Sequence, residues 1–333
     1  MTGWLRPLVR PGHEPTGSCL AGQGHLRFDQ VEQVTHGARG AIAALDDLTA
    51  ADRLRLTGAR PDLCGLTLDR PRIMGILNVT PDSFSDGGRH NGFDQAVAKA
   101  KDMASEADIL DIGGESTRPG AEDVAIDEEI RRTAPVIAAL RAAGITTPIS
   151  IDTRKARVAE AALDAGADIV NDVSALTFDP DLAHLVAERG VPVCLMHAKG
   201  DPATMQQDPR YDDVLSEVLD SLAERIAFAT GAGIARDRII SDPGIGFGKT
   251  QAHNLTLLQG LSALHDLGAP ILLGASRKRF IGTIGGAEAA LDRMPGSVAV
   301  ALWGVAQGAQ ILRVHDVAET AQAVRLWLAM AQS

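Results

Sequence analysis

The sequence predicts an α/β fold in which a (β/α)8 barrel, or TIM barrel, follows an N-terminal appendage. From Arg72 onward, eight short apolar runs of strand length alternate with segments of helical periodicity, the pattern of repeated βα units. Eight such units over roughly 260 residues match the length of this barrel. Glycines follow many of the runs, whereas a doubly wound open sheet has fewer strands and one dominant glycine-rich turn after the first. These observations favour the barrel.

The predicted strands are, in order, RIMGILN, ADILDIG, PISID, ADIVND, VPVCLMH, RIISD, PILLG and QILRV. Between them, apolar residues recur at the i, i+3, i+4 and i+7 spacing of amphipathic helices, for example over residues 93–104 and 215–226. The barrel is therefore predicted to span residues 71–333.

Residues 1–70 lack this repeated pattern and are predicted to form the appendage. A weak alternation in HLRFDQVEQV is typical of a strand, and AIAALDDLTAADRLRL has the character of a helix. We expect the appendage to cover the lower face or an edge of the barrel, and we assign no chemistry to it. Its histidines show no metal-ligand spacing.

Composition narrows the class of function. Acidic residues exceed basic ones by 11, which disfavours binding to a phosphate polymer. The three cysteines form no CxxC pair, and no apolar run is long enough to cross a membrane. We therefore expect a cytoplasmic protein that binds neither nucleic acid nor membrane, and an anionic ligand would require a few well-placed cations.

Polar residues follow every predicted strand. In a (β/α)8 barrel, the loops after the carboxyl ends of the strands build the active site. Any one of these residues alone could serve as a helix cap, but together they point to a ligand at one end of the barrel. In strand order they are Asn78; Thr117 and Arg118; Asp152; Asn171 and Asp172; His197; Asp242; Ser276, Arg277 and Lys278; and Arg313 and His315.

Two groups of these residues differ in chemistry. Asp152, Asn171, Asp242 and Lys278 combine acceptors and donors in the way that a polar heterocycle requires. Arg118, Arg313 and His315 are three donors suited to an anion such as phosphate.

Three familiar motifs are excluded. GIGFGKT resembles a phosphate-binding P-loop, but the first glycine of that motif is replaced by Pro243. HExxH and GxSxG are both absent, so neither a zinc protease nor an α/β-hydrolase is supported.

The polar motifs together resemble those of the dihydropteroate synthase family. They are NVTPDSFSDGG, DIGGESTRPGA, SIDTRK, IVNDVSAL, LMHAKGDPATMQ, DPGIGFGK, SRKRFIG and RVHDV, which occur in this order across residues 72–317. The resemblance implies a TIM barrel that joins 6-hydroxymethyl-7,8-dihydropterin diphosphate to 4-aminobenzoate and releases pyrophosphate in folate biosynthesis. It also implies a homodimer.

The resemblance implies a role for each matching residue. Asp152, Asn171, Asp242 and Lys278 would bind the pterin ring, and Asn78 would be a ligand of Mg2+ on the diphosphate. Arg118, Arg313 and His315 would hold the diphosphate, and Asp86 would stabilise a cationic intermediate. The 4-aminobenzoate site would contain Phe84, Thr117, Pro119 and Ser276.

Two alternatives remain at this point. A related pterin-binding barrel that transfers a methyl group would need the pterin residues but not the three diphosphate donors. A non-catalytic homologue that binds pterins would not need intact loops after the first two strands.

Overall fold

The computed structural model describes residues 3–12, 16–79, 88–115, 123–200 and 205–332; for residues 38–39 and 88–91 it describes the backbone alone. Its central sheet has eight strands, numbered within the whole chain: β7 (Arg72–Asn78), β8 (Ile109–Gly113), β9 (Ile149–Asp152), β10 (Ile169–Asp172), β11 (Val193–Met196), β12 (Ile239–Asp242), β13 (Leu272–Leu273) and β14 (Ile311–Val314).

The eight strands form a closed parallel barrel. Their order in the sheet is β12, β11, β10, β9, β8, β7, β14, β13, and all the pairings are parallel. A parallel bridge between Ser241 and Ile271 joins the two ends of this order. The predicted TIM barrel is therefore confirmed, with each predicted run forming one strand.

Helices surround the barrel strands. They are α2 (Gly88–Met103), α3 (Ile126–Ala142), α4 (Ala156–Asp164), α5 (Pro180–Arg189), α6 (Val214–Gly231), α7 (Gln251–Gln259), α8 (Arg279–Gly285), α9 (Met294–Ala306) and α10 (Val317–Ala331). The helices predicted over residues 93–104 and 215–226 correspond to α2 and α6. Within the described ranges, no helix is long and apolar enough to span a membrane.

Local signals set the ends of several helices. The side chain of Asp213 accepts hydrogen bonds from the amides of Leu215 and Ser216 at the start of α6. α5 begins with Pro180 in its first turn and ends at Gly190, whose φ of 62° is the left-handed conformation favoured by glycine. The Asp213 cap therefore sets where the loop after β11 ends, and Gly190 sets where α5 ends before β11.

The N-terminal region forms two small antiparallel sheets and one helix. One sheet has the order β1 (Trp4–Pro7), β5 (Gln30–Thr35), β6 (Ala38–Ala44), and the other has the order β2 (Arg10–Pro11), β4 (Gln23–Phe28), β3 (Ser18–Leu20). α1 spans Ala50–Thr57, after a 3-10 turn at Leu45–Asp47.

The helix expected over AIAALDDLTAADRLRL is wrong in its first half. Residues 41–44 belong to β6, which pairs with β5 in an antiparallel register, and residues 45–47 form the 3-10 turn. The helix begins only after Thr49, whose side chain caps the amide of Asp52. Sheet pairing with a neighbouring strand has overridden the local helical pattern.

A short segment before the barrel covers its lower end. Leu63 and Leu68 pack in a cluster with the side chains that fill the amino-terminal end of the barrel, among them Met74 and Ile109. A separate cluster within the two small sheets packs against Trp327 of α10. We expected the appendage to cover the lower face or an edge of the barrel, and it is residues 63–68 that lie at the lower face.

Candidate active site

Three predicted site residues lie in one row across the carboxyl ends of neighbouring strands. In the sheet register, Asn78 of β7 is opposite Gly113 of β8. Gly113 is opposite Asp152 of β9, which in turn is opposite Asn171 of β10. A Cβ atom on Gly113 would lie 3.3 Å from the Cβ of Asp152, so the glycine leaves room for this carboxylate.

The guanidinium of Arg313, in β14, pairs with two buried carboxylates. Its Nε donates to Oδ2 of Asp111 at 2.6 Å, and its Nη2 donates to Oδ2 of Asp152 at 2.6 Å. An unpaired buried charge is costly, so this one cation stabilises both acids. The sequence assigned Arg313 to the diphosphate. Here its charge is already shared between two carboxylates, and its contact with the diphosphate stays a prediction.

Asp111 is a site residue that the sequence interpretation missed. It is fully buried in β8, and Nδ2 of Asn171 lies 3.3 Å from its Oδ2. The missed signal was a carboxylate inside the otherwise apolar run ADILDIG, a position where an acid is costly unless it has a partner.

The two carboxylate oxygens of Asp152 differ in their hydrogen bonding. Oδ2 is bound to Arg313, but Oδ1 is buried and has no hydrogen-bond partner among the described residues. Burial raises the pKa of Asp152 to about 7, although Arg313 favours its charged form. Buried polar atoms are nearly always hydrogen-bonded, so Oδ1 is available to accept a hydrogen bond from a ligand.

Asp242 lies on the opposite side of the barrel mouth, at the end of β12. Its side chain is 5% exposed, and Oδ1 accepts the amide of Gly244 at 2.7 Å. Burial raises its pKa, while the Gly244 amide and the cation of Lys278 lower it. A Cβ on Gly274 would lie 3.7 Å from its Oδ2, so glycine keeps the approach to that oxygen open.

Lys278 lies beside the loop that follows Asp242. Its ammonium group donates to the carbonyl of Ile245 and lies 4.3 Å from the centroid of the Phe247 ring. Burial lowers its pKa to about 7, and Asp242 opposes that shift. The predicted pterin residues Asp242 and Lys278 are therefore electrostatically coupled.

Ser276 and His315 are in direct contact. Oγ of Ser276 lies 3.0 Å from Nδ1 of His315 and accepts the backbone amide of His315 at 3.2 Å. The serine predicted at the 4-aminobenzoate site thus orients the histidine predicted at the diphosphate. This contact holds Nδ1 of His315 toward the serine.

Five predicted residues lie outside the described part of the chain. They are Phe84, Asp86, Thr117, Arg118 and Pro119. Their assigned roles stay predictions.

A buried ion cluster connects the chain on the two sides of residues 116–122. Nζ of Lys155 donates to Glu115 at 2.9 Å, to Glu129 at 2.8 Å and to the carbonyl of Val124 at 2.6 Å. Glu115 also accepts the amide of Val124 at 2.8 Å. Since Lys155 and both glutamates are buried, the cluster fixes the positions at which the chain enters and leaves that segment.

The residues at the mouth fit a magnesium ion that is held mainly by substrate. Within the described residues there is no group of three His, Cys, Asp or Glu side chains placed to hold a metal. Mg2+ commonly takes only one or two protein oxygens and completes its shell with phosphates and water. Asn78 offers one such oxygen at the end of β7.

Residues 74–315 match the family model described as pterin binding enzyme. The dihydropteroate synthase of Escherichia coli strain K12 is 48% identical over 265 residues, which cover 78% of this chain and 92% of that protein. That of Neisseria meningitidis serogroup B is 50% identical over 269 residues, covering 79% and 94%. This chain belongs to the dihydropteroate synthase family of pterin-binding enzymes.

Solved dihydropteroate synthases share the fold. The Xanthomonas albilineans enzyme with 4-aminobenzoic acid has a TM-score of 0.76 at 52% identity, covering 81% of this chain and 97% of that one. The same enzyme in complex with 7,8-dihydropteroate has a TM-score of 0.73 at 49% identity, covering 80% and 95%. The Yersinia pestis enzyme with a sulfonamide drug complex has a TM-score of 0.75 at 47% identity, covering 80% and 96%.

Proposed function

We propose that this dihydropteroate synthase joins 6-hydroxymethyl-7,8-dihydropterin diphosphate to 4-aminobenzoate, giving 7,8-dihydropteroate and pyrophosphate. The observation that carries the proposal is the unpaired, buried Oδ1 of Asp152 at the mouth of the barrel. It lies on the strand beside Asn171, while Asp242 and Lys278 face the same mouth. A pterin ring supplies the N–H groups and the carbonyl that these four side chains require.

In the proposed complex, each residue of the pterin site has a separate task. Asp152 and Asp242 accept hydrogen bonds from the ring N–H and amino groups. Asn171 can both donate and accept, and Lys278 donates a hydrogen bond to the ring carbonyl in place of the carbonyl of Ile245. Arg313 keeps Asp152 in position, since their charges are paired at 2.6 Å.

The reaction breaks the methylene C–O bond and forms a C–N bond. Positive charge develops at the pterin methylene as pyrophosphate leaves, and we assign Asp86 to stabilise it. Arg118, Arg313 and His315 would stabilise the departing negative charge. The aniline nitrogen attacks as a neutral amine and then loses its proton, so no strong general base is needed.

Asn78 would contribute one oxygen to Mg2+. When bound, the ion would neutralise charge on the diphosphate. Asn78 is in register with Gly113, and β8 alone separates it from Asp152, so the metal ligand and the pterin site share one rigid sheet edge. The 4-aminobenzoate site would be formed by Phe84, Thr117 and Pro119 together with Ser276.

We also infer a homodimer. Helices α8, α9 and α10 are neighbours on one side of the barrel and expose large apolar side chains, namely Ile284, Trp303, Leu326 and Met330. Large apolar side chains exposed on neighbouring helices support an interaction site on this side of the barrel. We expect light scattering to give a mass twice the 34.9 kDa of one chain. A monomer at micromolar concentration would contradict this.

A cytoplasmic location completes the proposal. Cys19, Cys64 and Cys194 are free thiols, and Cys194 is buried inside the barrel. Free cysteines are the rule in a reducing compartment.

The proposed reaction is tested by pyrophosphate release. We expect release only when both substrates and Mg2+ are present, with one 7,8-dihydropteroate formed for each pyrophosphate. Release from the pterin substrate alone, at the same rate, would identify a hydrolase and contradict the proposal.

Sulfonamides are expected to compete with 4-aminobenzoate. A sulfonamide presents the same aniline and a polar group at its other end, so it would fill the site assigned to Phe84, Pro119 and Ser276. Inhibition should therefore raise the KM for 4-aminobenzoate and leave kcat unchanged. A fall in kcat at saturating 4-aminobenzoate would show that sulfonamides bind elsewhere.

A further inference from the structure

Residues 244–248, which we call the glycine shelf, form a loop whose backbone carbonyls are all held by side chains. Nζ of Lys249 donates to the carbonyls of Gly244 and Phe247 at 2.9 and 3.0 Å. The other three carbonyls accept, in order, from Lys278, from Gln206 and from Oη of Tyr211. Loop carbonyls commonly face water, so this degree of side-chain bonding indicates a fixed segment.

The other face of the glycine shelf is also held. The amide of Gly244 is bound by Asp242 at 2.7 Å and that of Gly246 by Asn254 at 2.7 Å. Gly244, Gly246 and Gly248 have φ values of 65°, 84° and 59°, in the left-handed region where side chains are disfavoured. A Cβ on Gly244 would lie 1.8 Å from the carbonyl oxygen of His197, so the shelf packs directly on that backbone.

Lys249 is the residue that joins these contacts. It is 3% exposed, and besides the two shelf carbonyls its ammonium lies 2.8 Å from Nδ1 and 3.2 Å from the carbonyl of His197. Protein acceptors surround the group, so Lys249 has no donor left for a ligand. This lysine is part of the segment that resembles a P-loop, yet its ammonium binds the protein's own carbonyls.

The glycine shelf determines the position of Lys278. The stem of Lys278 passes so close to Gly246 that a Cβ there would lie 2.9 Å from its Cδ. Its ammonium reaches the carbonyl of Ile245 and lies 4.3 Å from the centroid of the Phe247 ring. Lys249 holds the carbonyls on either side of Ile245 and Gly246, and therefore holds the surface along which Lys278 lies.

We propose that Lys249 is a positioning residue for pterin binding, which it supports by fixing the glycine shelf and, through the shelf, Lys278. The inference rests on the proposed function, because it requires Lys278 to bind the pterin ring. Lys249 touches no substrate in this account, and its removal should weaken one substrate selectively.

The test is calorimetric titration of Lys249→Met with 6-hydroxymethyl-7,8-dihydropterin diphosphate, together with steady-state kinetics. We expect the pterin Kd to rise about tenfold or more, which corresponds to the loss of one good hydrogen bond from Lys278. The KM for 4-aminobenzoate, measured at saturating pterin, should stay within about twofold of wild type. If Lys249 only stabilised the fold, its loss would weaken the binding of both substrates alike.

Lys99→Met is the matched control. It removes an exposed lysine of α2 that is not one of the residues bonded to the shelf carbonyls. Its pterin Kd should equal that of wild type. Tyr211→Phe is a milder second variant, because it removes only the bond to the carbonyl of Gly248 and should raise the pterin Kd by a smaller factor.

The outcomes separate this inference from the proposed function. Failure of the wild-type chain to bind the pterin would contradict the proposed function itself. An unchanged pterin Kd in Lys249→Met, or an equal loss for both substrates, would overturn the positioning role. Should Lys249→Met fail to fold, Tyr211→Phe decides: an unchanged pterin Kd there overturns the inference, and a raised one with kcat unaltered supports it.

Discussion

Arg313→Met is expected to lose both stability and pterin affinity. The substitution leaves the carboxylates of Asp111 and Asp152 buried without their cation, and breaking such a pair typically costs about 3–5 kcal/mol. Since Asp152 would no longer be held in place, the pterin Kd should rise as well. Urea denaturation measures the first effect, and calorimetric titration measures the second.

The loss of stability should depend on pH. The pKa of Asp152 is already raised to about 7 by burial, and without Arg313 it would rise further. A carboxyl group whose pKa is higher in the folded state contributes stability at low pH and loses it as the pH rises through the folded pKa. The variant should therefore be least stable, relative to wild type, above pH 7.

Arg325→Met is the control for Arg313→Met, because it removes an arginine from an exposed ion pair instead of a buried one. Arg325 is exposed on α10 and pairs with the partly exposed Glu106, so its loss should change stability by less than about 1 kcal/mol. If Arg313→Met were as stable as this control at pH 8, with unchanged pterin affinity, the central role of Arg313 would be wrong.

Lys155→Met is expected to have the second large effect on stability. Glu115 and Glu129 are 5% and 0% exposed, and both would lose the ammonium that pairs with them. We expect the free energy of unfolding to fall by about 3–5 kcal/mol, measured by urea denaturation. Lys101→Met, on the exposed face of α2, should stay within about 0.5 kcal/mol of wild type. Equal stability of the two variants would show that the cluster is not needed for folding.

The sequence predicted the parts of the site that depend on strand ends. Asp152, Asn171 and Asp242 each close an apolar run, and parallel strands bring their carboxyl ends to one mouth, so their meeting followed from the fold. The eight barrel strands were predictable for the same reason, because their runs are short, apolar and regularly spaced.

The partners of these residues were not predictable. Asp111 lies within a strand, and its pairing with Arg313 joins residues 202 positions apart. Lys155 meets Glu115 and Glu129 across a loop and a helix, and neither spacing has a local signature. The five bonded carbonyls of residues 244–248 depend on four side chains, at positions 206, 211, 249 and 278. Tertiary contacts of this kind leave no periodic trace in the sequence.

The central claim, that the polar residues of the strand ends bind a pterin ring, is tested most directly at Asp242. In Asp242→Asn, the introduced amide can keep its oxygen on the amide of Gly244 and would turn its NH2 group toward the ligand. That group is a donor facing a ring that also donates, so one buried polar pair is lost at about 1–3 kcal/mol.

The measurement is calorimetric titration of 6-hydroxymethyl-7,8-dihydropterin diphosphate into wild type, Asp242→Asn and the exposed control Asp237→Asn. We expect the control to match wild type and the Kd of Asp242→Asn to rise by roughly 5- to 150-fold. Equal dissociation constants for all three proteins would remove Asp242 from the pterin site and contradict the account.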